Sequence, residues 1–380
     1  MENNRQETLL GEATEFVKAE IVPFATEFDQ KGEIPGSLIS KMGKLGYLGA
    51  NFPAEYGGLH LDPLYFGQLT GQVGKACASV RSILTVHASL VGESLLRFGS
   101  DKQKKNYLPQ MAKGELIGAF ALSEPSVGSD AANIETEYRK SGDDFVINGQ
   151  KKWTTMGTLA NLLLVFARSG DNVSAFLVPV QSPGVTVKPM GGLMAGKSSH
   201  LAEIKFEEVV VSSGQLLGKE GTGFTYIVNS ALDHGRYSVA WGGLGIAEAS
   251  LEAMVRYARK RKQFGRGLYD HQLIQGMIAE ATTKVTAGKA MCLRAGELRT
   301  NKNPDASMET TITKYYTSKI ANEIASDAIQ LHGANGLSEN FPVERFFREA
   351  KILEIIEGTS QVLQTVISSY ALNKYYHHTT

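Results

Sequence analysis

Residues 162–167 read Leu162-Leu163-Leu164-Val165-Phe166-Ala167, and residues 175–180 read Ala175-Phe176-Leu177-Val178-Pro179-Val180. Between them lies Ser169-Gly170-Asp171-Asn172, a cluster of turn-forming residues, so the stretch reads as strand, turn, strand. Working outward, short apolar or alternating runs recur at 117–122, 145–148, 185–188, 202–206 and 209–211, punctuated by Ser141-Gly142-Asp143-Asp144 and Ser182-Pro183-Gly184. Seven or so short strands within about a hundred residues predict a small antiparallel barrel or sandwich over residues 114–219.

On both sides the apolar period is helical. Leu9, Leu10, Ala13, Phe16, Val17 and Ile21 form one stripe that Pro23 ends, Ile39, Met42, Leu45 and Leu48 form a shorter one, and 64–96 reads as further helix. Beyond Gly223, helical patterns cover 225–262, 270–299 and 305–333, the last closing on Gly333. Helices this long pack most readily as an antiparallel bundle. The expected fold is α+β, with an N-terminal α-helical domain (1–113), a middle β domain (114–219) and a C-terminal domain resembling a four-helix bundle (220–380).

The chain has 380 residues, with 39 basic and 39 acidic side chains. No net field draws it to nucleic acid or an anionic membrane, so neither is expected as a partner. Cys77 and Cys292 lie far apart without a CxxC, which predicts neither disulfide nor metal site and suits a reducing compartment. The start, Met1-Glu2-Asn3-Asn4-Arg5-Gln6-Glu7, lacks the basic and apolar regions of a signal peptide, and no apolar run nears the roughly 18 residues of a membrane span, so a cytoplasmic location is expected. Glycine is in excess, 40 of 380 against a usual ~7%.

Four motifs carry chemistry. Gly191-Gly192-Leu193-Met194-Ala195-Gly196-Lys197-Ser198 matches the phosphate-loop pattern GxxxxGK[ST], but Ala202-Glu203-Ile204-Lys205-Phe206 after it alternates as a strand, whereas that loop must open a helix. A P-loop nucleotide-binding protein is therefore the rival reading from another class. In Lys351-Ile352-Leu353-Glu354-Ile355-Ile356-Glu357-Gly358-Thr359-Ser360-Gln361, an apolar stretch runs into Glu357, glycine breaks it, and Thr359 or Ser360 caps the next helix. Desolvation beside two isoleucines raises a carboxyl toward the range useful for a general base, set against the plainer reading of a solvated helix-terminal glutamate. The basic end Arg256-Tyr257-Ala258-Arg259-Lys260-Arg261-Lys262-Gln263-Phe264-Gly265 is a solvated face or a pyrophosphate and adenine contact. Leu122-Ser123-Glu124-Pro125-Ser126-Val127-Gly128-Ser129-Asp130, with Trp153-Thr154-Thr155 on a later strand, offers hydroxyls and an indole to a flat heterocycle, or is a turn and a core tryptophan.

The order and spacing of five blocks resemble the acyl-CoA dehydrogenases across essentially the whole chain. The blocks are Ser123-Glu124-Pro125 with Gly128-Ser129-Asp130, Ile147-Asn148-Gly149-Gln150-Lys151-Lys152-Trp153, Arg261-Lys262-Gln263-Phe264-Gly265, Gln330-Leu331-His332-Gly333-Ala334-Asn335-Gly336, and Glu357-Gly358-Thr359-Ser360-Gln361. The resemblance implies FAD as cofactor and Glu357 as the base that removes an acyl α-proton while hydride leaves the β-carbon for flavin N5. It implies flavin-ring and nearby phosphate contacts from Leu122, Ser123, Gly128, Ser129, Trp153 and Thr155. Arg261, Phe264, Gln272, Gln330, Gly333, Thr359 and Gln361 match the remaining FAD contacts, some made across a subunit interface in a homodimer or homotetramer. Ser129, Asp233, Arg236, Ile356 and Gly358 match substrate contacts.

Ile356 and Gln364 replace residues common in the family, and Leu232-Asp233-His234-Gly235-Arg236-Tyr237-Ser238-Val239-Ala240-Trp241 looks like members of polyketide and hybrid peptide pathways. The expected activity is thus dehydrogenation of a short acyl group, leaning to one carried on an acyl carrier protein. The alternative is an acyl-CoA dehydrogenase of fatty or branched-chain acid catabolism. An electron-transferring flavoprotein, or another acceptor, is the implied electron partner.

Overall fold

A computed structural model describes residues 2–376; Met1 and residues 377–380, where the expected outer domain limits fall, lie outside the described residues. Seven α-helices open the chain: α1 (Glu2–Glu20), α2 (Ala25–Lys31), α3 (Gly36–Lys44), α4 (Pro63–Ala76), α5 (Ala78–Ile83), α6 (Glu93–Phe98) and α7 (Asp101–Lys113). The helix expected over 64–96 is composite. Extended backbone at Cys77 (φ −158°) breaks it, and Leu84–Gly92 winds as a fully buried π-helix. Such segments recur at functional sites. His87 secures this one, its Nδ1 accepting from the Gly118 amide (3.1 Å) and its Nε2 facing the Met111 carbonyl (3.0 Å). Burial pushes its pKa down to about 4, so the ring is neutral. Ser100 and Gln103 form a capping box that starts α7, and Gly114 ends it in left-handed backbone (φ 72°).

The middle segment forms β1 (Gly118–Ala121), β2 (Glu137–Ser141), β3 (Asp144–Thr154), β4 (Leu162–Ser169), β5 (Asn172–Pro179), β6 (Val185–Pro189), β7 (Ala202–Val211) and β8 (Leu216–Leu217). The sheet order is β6-β7-β3-β2-β4-β5-β8, with β1 also on β4. The opening stretch is the β4–β5 hairpin, Ser169 opposite Asn172 across a tight turn with Gly170 at φ 59°. The sheet is mixed rather than purely antiparallel. β1 runs parallel to β4, and β2 touches β4 in parallel, because each pair is joined by a crossover rather than a hairpin. The runs at 202–206 and 209–211 belong to one strand, β7, interrupted by a bulge with Glu208 at φ 50°.

After a π-turn at Gly223–Val228 come α8 (Asn229–Lys260), the small hairpin β9 (Lys262–Gln263) and β10 (Arg266–Gly267), then α9 (Gln272–Thr300), α10 (Ala306–His332), α11 (Val343–Leu353) and α12 (Ser360–Tyr376). Helix α8 packs against α4, α9 and α10, and α9 packs against α4 and α10. One hydrophobic core runs continuously from Ala13 on α1 through the sheet to Val228, and a second joins α8, α10 and α11. Among the described residues no helix is long and apolar enough to cross a membrane, and no cluster of three or more His, Cys, Asp or Glu side chains is placed to hold a metal ion.

Candidate active site

The turn between α11 and α12 puts two successive residues in left-handed backbone, Glu357 (φ 55°) and Gly358 (φ 93°). Glycine tolerates this, but glutamate does so only when its surroundings enforce it. The Ser360 amide donates to the Glu354 carbonyl (2.9 Å), and Thr359 Oγ1 accepts from the Val362 amide (3.2 Å), capping α12. Two cations from the bundle hold the carbonyls between: Arg236 Nε on α8 donates to Glu357 O (3.0 Å), and Lys314 Nζ on α10 donates to Gly358 O (2.7 Å).

This turn delivers the Glu357 carboxylate against α8. A Cβ built on Gly235 would lie 2.4 Å from its Oε2. The residue as a whole is half-buried, yet Oε2 is sequestered from solvent and has no hydrogen-bond partner. Desolvation raises its pKa to about 7, outweighing the opposing pull of Arg236, Lys314 and Arg81. Lys314 is itself pushed down to about 8 by burial. A carboxylate poised near neutrality, with an unengaged oxygen, can take a proton from carbon.

A second constellation lies at the end of β1. Lys151 on β3, fully buried, donates to the Leu122 carbonyl (3.0 Å) and pairs with Glu124 (2.7 Å). Glu124 also accepts from the amides of Thr136 (2.9 Å) and Glu135. Burial would raise the Glu124 carboxyl, but Lys151 and these hydrogen bonds hold it below the usual range, while burial pushes Lys151 down to about 8. The Lys152 amide donates to Ser123 O (2.8 Å), so the loop after β1 is tied to β3 along its length. A register shift in β3 then turns Trp153 outward at φ 63°, 52% exposed, while the buried Thr154 Oγ1 has no partner. Gly128 is not in left-handed backbone, and a Cβ placed on it would meet nothing within 4 Å, so packing does not demand glycine there. An exposed indole, the hydroxyls of Ser123, Ser129 and Thr155 and an approachable backbone fit a flat heterocycle bearing phosphate.

The third group lies at the other end of the bundle. Arg261, Phe264 (94% exposed, φ 52°) and Gln272 surround the β9–β10 hairpin and the start of α9. Gln330 and Gly333 end α10 beside them, where Tyr257 stacks on His332 at 4.1 Å. From Gly235 to Arg261 the rise along α8 is about 39 Å.

The expected substrate contacts divide. Arg236, Ile356 and Gly358 adjoin Glu357, and Ser129 sits on the β1 loop. Asp233 is engaged by Arg299 (2.7 Å). Gln361 is exposed on the first turn of α12. The phosphate-loop look-alike joins β6 to β7 and opens no helix. It packs on α11 instead, Arg348 donating to Met194 O (3.0 Å) while also pairing with Asp29 (2.7 Å). Cys77 and Cys292 are buried free thiols. Sequence reasoning assigned no role to Lys314, Lys151 or Arg81. Arg81 carried a signal, being the one charged side chain of residues 78–92.

Sequence profiles of three domains match: the acyl-CoA dehydrogenase N-terminal domain over residues 3–115, the middle domain over 119–209 and the C-terminal domain over 221–372. A Bacillus subtilis protein named as a probable acyl-CoA dehydrogenase is 38% identical over 94% of this chain and 95% of its own length. The human mitochondrial short-chain specific acyl-CoA dehydrogenase is 36% identical over 97% of this chain and 90% of its own. Among solved structures, butyryl-CoA dehydrogenase from Megasphaera elsdenii superposes with a TM-score of 0.93 at 33% identity, covering 97% of this chain and 98% of that one. A glutaryl-CoA dehydrogenase from Mycobacterium smegmatis, solved in complex with FADH2, gives 0.92 at 27% identity, with 97% and 94% coverage. The prolyl acyl carrier protein oxidase AnaB gives 0.91 at 28%, with 96% and 98% coverage. With all three domains matched in order and relatives aligned nearly end to end, the chain belongs to the acyl-CoA dehydrogenase family.

Proposed function

We propose that the protein is an FAD-dependent dehydrogenase of a short acyl thioester, with Glu357 as the base that removes the α-proton. The observation that carries this is the sequestered, unpartnered Oε2 of Glu357, raised to about 7 and fixed against Gly235. FAD, when bound, supplies the flavin N5 that takes hydride from the β-carbon. Leu122, Ser123, Gly128, Ser129, Trp153 and Thr155 would hold its ring and adjacent phosphate, with Thr359 and Gln361 closing from α12. Arg236 and Lys314 keep the turn in the strained conformation that aims the carboxylate.

Arg261, Phe264, Gln272, Gln330 and Gly333 stand about 39 Å along the bundle from the Glu357 end, too far to complete the same site. Their exposure supports a shared arrangement in which they bind the adenosine half of FAD held by another copy, in a homodimer or homotetramer. For the thioester carrier we favour an acyl carrier protein, from the character of residues 232–241 and the likeness to AnaB. The likeness to short-chain specific and butyryl-CoA enzymes supports coenzyme A as the second reading. An electron-transferring flavoprotein is the acceptor we expect. Anaerobic bleaching of the flavin by matched acyl-CoA and acyl-carrier-protein thioesters tests both: bleaching by either establishes the dehydrogenase, and the faster series names the carrier.

A further inference from the structure

Asp233 and Arg236 lie three residues apart on α8 and therefore share a face. An aspartate and an arginine at that spacing ordinarily pair, yet among the described residues no ion pair joins them. Each is engaged elsewhere. Arg236 Nε donates to Glu357 O (3.0 Å), and the Asp233 carboxylate faces Arg299 Nη2, on α9, at 2.7 Å. Burial lowers the Arg236 pKa against the pull of two carboxylates, Glu357 first and Asp233 second, so both lie within reach of its charge.

Arg299 is fixed on several sides. Its Nε donates to Thr310 Oγ1 on α10 (2.9 Å), its Nη2 also donates to the Asp233 carbonyl (3.2 Å), and its guanidinium lies over the Tyr237 ring, 4.8 Å from the centroid. Tyr237 is held in turn, its Oη donating to Pro63 O (2.7 Å). The Arg299 side chain is 10% exposed, which strengthens its hold on Asp233. Burial would raise the Asp233 carboxyl, but Arg299, with His234 and the Ser307 hydroxyl, holds it below the usual range. Asp233 is therefore ionised, and once Glu357 ionises the charges alternate along Arg299, Asp233, Arg236 and Glu357. The other charges around this chain are Lys314 and Arg81, which act on Glu357, Glu354, which acts on Lys314, and Glu93 and Arg97, which act on His234.

We propose that Arg299 is a positioning residue for the base: it occupies Asp233 and so leaves Arg236 to hold the turn that carries Glu357. Without Arg299, Asp233 would present an unpaired carboxylate one turn from Arg236. A carboxylate outcompetes a neutral carbonyl for a partly buried guanidinium, because it adds a full opposite charge and accepts two parallel bonds. Arg236 would then swing to Asp233, and Glu357 would lose both the tether on its carbonyl and a cation that lowers its pKa. No bond joins Arg299 to Glu357 among the described residues, so its effect passes through Asp233 and Arg236. The inference rests on the reading of Glu357 as the base and deepens it.

The test is anaerobic flavin reduction of the holoenzyme, at saturating concentration of the wild type's best thioester, in Arg299→Gln, which keeps a donor for Thr310 and removes the charge. The rate is expected to fall on the order of 10-fold, and the acidic limb of its pH profile to move to higher pH, because Arg236 no longer lowers the Glu357 pKa. Adding Asp233→Asn removes the competing carboxylate. The double variant is expected to match Asp233→Asn alone in both rate and limb, any loss of thioester binding appearing in KM. In an Arg236→Met background, Arg299→Gln is expected to cost nothing further. An unchanged rate in Arg299→Gln overturns the inference, as does a loss that adds in full to that of Arg236→Met. A double variant that is slower than Asp233→Asn, or that does not fold, makes Arg299 a packing residue and also overturns it; this comparison decides even where Arg299→Gln alone fails to fold. A wild-type flavin that no thioester bleaches defeats the dehydrogenase reading itself.

Discussion

Gly235 and Glu357 are in direct opposition across the bundle: a Cβ on the glycine would stand 2.4 Å from Oε2 and 2.6 Å from Cδ of the glutamate. The left-handed turn at Glu357 delivers the carboxylate, and the missing side chain on α8 receives it. Gly235→Ala should therefore fold and hold flavin while displacing the base. A misplacement of about 1 Å can cost on the order of 100-fold in rate. We expect that loss in anaerobic flavin reduction, with little change in thermal stability.

The raised pKa of Glu357 sets the pH response. Only the ionised carboxylate accepts a proton, so kcat/KM should rise with pH up to about 7 and level off above it. The stability effect has the opposite sign. Between the ordinary carboxyl value and about 7 the folded protein keeps a proton that the unfolded chain has released, so stability from this group falls as pH rises through that window. Glu357→Gln should melt higher than the wild type by a margin that widens from pH 5 to pH 8.

Lys314 acts on the same carboxyl from α10. Lys314→Met removes the donor to Gly358 O and leaves that carbonyl unpaired, a loss of about 1–3 kcal/mol if no water replaces it. It also removes a cation that lowers the Glu357 pKa. The acidic limb of the rate profile should move to higher pH, an outcome that a purely structural lysine would not produce.

The Lys151–Glu124 pair is the anchor of the loop after β1. Removing one partner of a buried ion pair costs about 3–5 kcal/mol. Lys151→Met should lower the melting temperature and release flavin on gel filtration, because Leu122 O loses the lysine's hydrogen bond and Glu124 loses its buried counter-charge. Surface substitution at Lys205, whose pairing with Glu207 is exposed, should leave flavin content unchanged.

Much of this was legible in the chain because the signals are local. The period switch near residue 114 marks where helix gives way to strand, Asp305 and Gly333 flank α10 as read, and the isoleucines, glycine and cap around Glu357 mark a special carboxylate. Features made by distant pairing left no such trace. The parallel β1–β4 contact joins strands some 40 residues apart, and no local period encodes it. Arg81 is a lone charge in an apolar helical run, but the slot that buries it forms only when α4 and α8 close around it. Lys314 sits among threonines on a long helix, where a solvated lysine is the ordinary expectation.

Whether Glu357 is the base is decided by anaerobic flavin reduction in Glu357→Gln. The substitution keeps the shape of the side chain and removes its basicity. Glu357→Gln should give a yellow, folded, flavin-loaded protein whose bleaching by the wild type's best thioester is slower by several orders of magnitude. Bleaching at the wild-type rate would contradict it.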